Sequence, residues 1–195
     1  HGIDQVGKGD AADANYRQRF IAAVHDGWSL AQDEILEGLL EVQKTVDQLR
    51  TIPTRDKRQR EERKKSERKL HWKEAVLRKL ADAIVWQLLG GQLWLARRLQ
   101  TDERAPRLST SNVASIKEFV DGVRKASPTS FAVMSDLTSF VRLGDVVMIR
   151  DVDRSPQLVI AELKEGKKNE ELMPLATFYS HTECPYFLEN VRLAK

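Results

Sequence analysis

The chain has a single cysteine, Cys184, so it cannot close a disulfide within itself. Its histidines, His1, His25, His71 and His181, fall at no spacing that would build a zinc site with that thiol. A reducing compartment fits. No apolar run reaches the ~20 residues that a bilayer-spanning helix needs, and Gln87 and Gln92 interrupt the most apolar stretch. No charged-then-apolar leader opens the chain, so a cytoplasmic protein with no membrane partner is expected. The start at His1-Gly2, without methionine, reads as a tag remnant or a truncation point. Only 6 prolines occur in 195 residues, which leaves room for long unbroken helices.

What is present is charge. Charged residues make up 31% of the chain and hydrophobic ones 41%, a globular profile rather than a disordered or membrane one. The net charge of +3 is a mild basic excess that permits nucleic-acid binding without requiring it. Its distribution is uneven. Between Arg55 and Lys73, ten Lys and Arg residues face only Asp56, Glu61, Glu62 and Glu67. Such a run is commonly a solvated helix face held by i to i+4 pairs. It would also draw in a phosphate backbone by counterion release, with Arg58, Arg63, Lys64 and Lys65 as contacts.

Apolar residues at Phe20, Val24, Trp28, Ala31, Ile35, Leu39, Val42, Val46 and Leu49 step by three or four, predicting one amphipathic helix from about Asn15 to Arg50. Pro53 ends it. A second helix, basic first and then apolar nearly all round from Leu70 to Leu99, completes a helical hairpin over 14–100 with a kink or close crossing at Gly90-Gly91. Trp72, Trp86 and Trp94 are expected to anchor its core, with stacking on bases as the alternative, and His25 to face solvent or a partner. The long seam suits a homo-oligomer or a subunit of a larger assembly.

Past a polar linker, Ser109 to Asn112 offers capping residues for a helix over Val113 to Lys125. A first strand follows from Phe131 to Leu143, bent near Ser135-Asp136. The next is Val146 to Ile149, then turn residues Asp153 to Pro156, then Leu158 to Ala161. Asp145 opens one strand of this hairpin, while Glu162 and Lys164 end the other and share a face. In an antiparallel pair the start of one strand lies beside the end of its neighbour, so Asp145 and Glu162 converge. Two carboxylates are hard oxygen ligands of the kind magnesium takes. A lysine beside them suits charge on a phosphate. The plain alternative is a turn aspartate and an exposed Glu-Lys pair, worth a few tenths of a kcal/mol.

Gly144-Asp145, an apolar strand, a turn, a second apolar strand and then Glu162-Leu163-Lys164 resemble the PD-(D/E)XK nuclease superfamily. The resemblance covers about Ser109 to Lys168. It implies an α+β chain: the helical hairpin, then a restriction-endonuclease-like αβββ core over 109–195, cut short or weakly marked at its end. It implies a Mg²⁺-dependent phosphodiesterase, with Mn²⁺ as substitute, acting as an endonuclease on DNA more than RNA, with defence against foreign DNA a common role. Asp145 and Glu162 would hold the metal and Lys164 the attacking water. Glu118, or Asp121, would be the extra acid from the preceding helix, Asp136 an alternative one, and Lys167 and Lys168 would face phosphate. A second core helix over Asn169 to Tyr179 and a fourth strand over Tyr186 to Leu193 would complete the core. The alternatives are an inactive nuclease-like module that binds nucleic acid and a helical interaction subunit of a larger complex.

Overall fold

In the computed structural model, residues 14–100, 105–152, 155–163 and 189–191 are described. The first helix, α1, spans Ala14–Thr51, about 57 Å at 1.5 Å per residue. The second, α2, spans Lys57–Leu88, with Asp56 in extended backbone at its N-cap accepting the Gln59 N–H at 2.8 Å. The two form an antiparallel hairpin, tied by Lys73 Nζ to Glu41 at 2.9 Å.

Gly90 and Gly91 both sit in the left-handed region, at φ 57° and 71°, where a side chain is strained. A Cβ at either would meet nothing within 4 Å. The expected kink or close crossing is therefore a helix stop, required by backbone conformation rather than packing. A separate helix, α3 (Leu93–Leu99), follows and buries Leu95, Ala96 and Leu99. The helix α4 (Val113–Ala126) then buries Ile116 and Val120.

Expectations for the helices hold in their outlines and fail in their faces. Ile35, Leu39, Val42 and Val46 of the α1 stripe are buried as spaced, but Gln32, Gln43 and Ser29 share that inward face. On α2 the buried residues are Arg78, Ala81, Asp82, Ile84, Val85 and Leu88, a single face that includes two charges. Burial all round is not found: Val76, Leu80 and Leu93 are exposed. Trp72 and Trp94 are likewise exposed rather than core anchors, at 72% and 45%. Trp86 is half-buried and packs on Phe140, 5.9 Å between ring centroids. His25 is buried, not solvated, with its ring 5.3 Å from that of Phe131 and 5.6 Å from that of Trp28. Burial holds its pKa below the usual imidazole value, against the raising effects of the Pro128 carbonyl and Asp26.

The sheet runs in the order β1 (Phe131–Met134), β2 (Val146–Val152), β3 (Ser155–Ala161) and β4 (Glu189–Val191). The first three strands are antiparallel, and β4 lies parallel to β3, within the span expected for a fourth strand. The first strand is shorter than expected: after Met134 the chain turns through a 3-10 segment at Ser135–Leu137 and an irregular stretch before β2. Ser155 and Pro156 are strand rather than turn, and Asp153 lies outside the described residues.

Helices and sheet share one continuous core, from Ile35 and Leu39 through Leu99, Ile116 and Leu137 to Ile160. Each fully buried Leu or Ile there contributes roughly 1.5–3 kcal/mol by leaving water. Polar groups fix the register of the layers. Gln32 on α1 donates through Nε2 to the Ala132 carbonyl at 3.2 Å and accepts the Met134 N–H at 2.9 Å. It thereby satisfies the outer edge of β1, an edge that would otherwise offer unpaired backbone groups. Arg107 grips Asp47 through two contacts of 2.6 and 2.7 Å, joining α1 to the segment before α4.

Candidate functional site

Three strand ends lie side by side. Met134 pairs with Val146, and Val146 with Ala161, so the residues just beyond Met134, just before Val146 and just after Ala161 emerge at one end of the sheet. Those positions carry Asp136, Asp145 and Glu162. The backbone is stitched across this end. Ser135 N–H donates to the Asp145 carbonyl at 2.9 Å, and Asp145 N–H donates to the Ala161 carbonyl at 2.8 Å.

Gly144 makes that approach sterically feasible. It lies at φ 69°, and a Cβ there would stand 2.5 Å from Ile160 Cγ2 and 2.9 Å from the Ala161 carbonyl oxygen. The Gly-Asp pair therefore has a packing reason as well as a chemical one: only glycine lets Asp145 meet the end of β3 this closely.

The Asp145 carboxylate is half-buried, and its Oδ2 accepts the Leu163 N–H at 2.6 Å, which fixes its orientation toward the residues after β3. Burial pushes its pKa above the usual carboxylate value; the Leu163 hydrogen bond pulls the other way, and the charges of Asp136 and then Glu162 add to the rise. Both acids are thus close enough to be felt. Glu162 itself is exposed.

Asp136, weighed from sequence as an alternative acid, is held on two sides. Ser111 Oγ donates to its Oδ2, and Arg78 Nη1 donates to its carbonyl at 2.6 Å. The Ser111 hydroxyl is therefore engaged with Asp136, and Asn112, at the α4 N-cap, makes no side-chain cap bond. The capping expected from Ser109 to Asn112 is replaced by this tie. Arg78 is buried and also donates to the Thr138 and Pro106 carbonyls while pairing with Glu74 at 3.0 Å. Beside it, Asp82 accepts from the Ser139 N–H and hydroxyl, both at 2.6 Å. These two α2 residues hold the loop that leads from β1 to Asp145. Sequence reasoning missed them; the available signal was a charge at positions 78 and 82 on the same face as Ala81 and Val85.

The other expected residues lie elsewhere or outside view. Glu118 is exposed on α4, and Asp121 is taken by Lys117, which also reaches Asp33 at 2.9 Å. Lys164, Lys167, Lys168 and the helix expected over 169–179 are outside the described residues. On α2, Arg58 is exposed and pairs with Glu62 at 3.2 Å, and Lys64 and Lys65 are exposed. Arg63 turns inward, donating to the Ile52 carbonyl at 3.4 Å.

Among the described residues, no three His, Cys, Asp or Glu side chains gather as a group that could hold a metal ion. No helix is long and apolar enough to cross a membrane among those residues. Comparison with protein-family models, with curated proteins and with solved structures finds no match for the chain.

Proposed function

We propose that the chain is a metal-dependent nuclease, with a restriction-endonuclease-like core that hydrolyses phosphodiester bonds in DNA. The observation that carries this reading is the register Val146↔Ala161, with the Asp145 N–H bonded to the Ala161 carbonyl, which brings Asp145 and Glu162 to adjoining strand ends.

The donor chemistry fits magnesium. Both side chains offer only oxygen, and magnesium is commonly held by one or two carboxylates with waters and substrate phosphate oxygens filling the shell. The fit is also electrostatic: Asp145 is a half-buried acid whose charge is opposed by two neighbouring carboxylates, and a divalent cation relieves that opposition. When bound, the ion would neutralise charge that develops on the phosphate.

The remaining roles belong to the chain itself. The Leu163 N–H aims the Asp145 carboxylate. Lys164, two residues beyond Glu162, is assigned the attacking water and the charge on the phosphate. The basic half of α2 supplies sequence-independent attraction for the backbone. A homo-oligomer built on the α1–α2 hairpin would set two such sites against the two strands of a duplex.

The test is incubation of the chain with plasmid and single-stranded substrates in Mg²⁺ or Mn²⁺. Metal-dependent cleavage abolished by Glu162→Ala, with DNA binding retained, is the expected result. Binding without cleavage by the parent chain would replace the enzyme with an inactive nucleic-acid-binding module, and neither property would leave a helical interaction subunit.

A further inference from the structure

The outward face of α2 carries a feature that the site at the sheet end does not use. Trp72 is 72% exposed, the most exposed of the large apolar side chains among the described residues. Lys65, Lys69, Trp72 and Val76 follow one another at intervals of four, three and four, so they form one stripe. Arg68 flanks it. All five are exposed, while Arg63, Leu77, Arg78 and Ala81 turn toward the other side of the same helix. No carboxylate among the described residues pairs with Lys65 or Lys69.

A tryptophan ring left in water has a large, flat, apolar face and nothing covering it. Cations one and two turns away on the same stripe rule against an ordinary apolar partner, because docking one would strip water from unpaired charges. A polyanion with exposed flat rings meets both demands. Its phosphates neutralise Lys65, Arg68 and Lys69, and one unstacked base covers Trp72. A duplex keeps its bases stacked and inside, so it satisfies the cations but not the ring.

We infer that the Lys65-Arg68-Lys69-Trp72 face of α2 is a binding site for single-stranded nucleic acid. Arg78, whose head holds the Asp136 backbone, lies about 9 Å further along the helix axis. It lies on the opposite side of α2, so a strand seated on Trp72 passes round the helix to reach the acids at the sheet end. The inference deepens the nuclease reading by adding a place that holds a single-stranded segment beside the duplex to be cut, and it rests on that reading for its consequence. Binding itself does not depend on hydrolysis.

The experiment uses the full chain in EDTA, so that binding is read apart from cleavage. A labelled single-stranded thymidine oligonucleotide is titrated by fluorescence anisotropy, with a hairpin duplex as comparison, while tryptophan emission is recorded. The expected result is single-strand binding with quenched emission. Trp72→Ala should weaken it about 5- to 150-fold, the range for loss of one stacked base, and remove most of the quenching. Lys69→Ala should weaken it and lower the salt slope by about 0.7. The inference is overturned if the single strand does not bind, if Trp72→Ala binds it within twofold of the parent, or if Trp72→Ala leaves binding intact and instead dissolves a self-associated species in sedimentation. Failure here with metal-dependent cleavage intact would remove the α2 site and leave the sheet-end site standing.

Discussion

Replacing Gly144 with alanine tests whether the Gly-Asp pair is a packing device. The new Cβ meets two obstacles. The first is conformational: φ 69° is left-handed backbone, which costs a non-glycine residue about 1–2 kcal/mol. The second is steric, with Ile160 Cγ2 at 2.5 Å and the Ala161 carbonyl oxygen at 2.9 Å. Neither neighbour yields easily, because Cγ2 is fixed to the branched Cβ and the oxygen belongs to a paired strand. Overpacking of this kind adds about 1–3 kcal/mol, for a total of about 2–5 kcal/mol. In a chain of this size that lowers Tm by about 4–20 °C. Gly90→Ala is the matched control, since its φ is 57° but nothing lies within 4 Å of the added carbon. It should lose only the conformational part. Urea unfolding of both variants, followed by circular dichroism, isolates the steric part as their difference. If the two agree within about 0.5 kcal/mol, Gly144 is not held against β3 and the account of the site's closure is wrong.

Gln32→Leu leaves the Met134 N–H and the Ala132 carbonyl buried without partners, and should cost about 2–4 kcal/mol in the same unfolding assay. Arg78→Met removes donors from the carbonyls of Pro106, Asp136 and Thr138 and leaves Glu74 only His71 at 3.7 Å, at about 3–5 kcal/mol by urea unfolding. For Asp145 the sign is opposite. Its folded pKa is raised, so the folded chain binds the proton more readily than the unfolded one, and stability falls as pH rises from the unfolded carboxylate value through the folded one. Asp145→Asn, which keeps an oxygen for the Leu163 N–H, should therefore be more stable than the parent at pH 7. That gain should vanish near pH 3 in urea titrations at the two pH values.

The long periodic segments were legible in the sequence because their signal is repeated many times. Nine apolar residues at helical spacing mark α1, and its observed ends, Ala14–Thr51, fall within one residue of those expected. The β2–β3 hairpin was legible for the same reason, through two β-branched runs with a turn between them. Gly144-Asp145 could be read as a motif, although the contact that requires the glycine comes from Ile160 and Ala161 and has no local trace.

Single polar residues were not legible. Gln32, Arg78 and Asp82 are buried because backbone groups from distant segments meet them, at sequence separations of 28 to 102 residues. No window along α1 or α2 contains that information. Trp72 misled in the opposite direction: a large aromatic near an apolar helix reads as core, yet its position falls on the face turned away from α1 and the sheet. Asp136 shows the intermediate case. From sequence it was either an acid pointing inward from a strand or a turn residue, and the structure sets it in the 3-10 turn after β1.

The central claim is that Asp145 and Glu162 form one divalent-cation site. Titrating Mn²⁺ into the full chain, with bound ion read by electron paramagnetic resonance, tests it without requiring a substrate. The account predicts one ion per chain, weakened at least tenfold by Asp145→Asn and by Glu162→Gln in folded protein. Manganese binding that neither substitution weakens would contradict it.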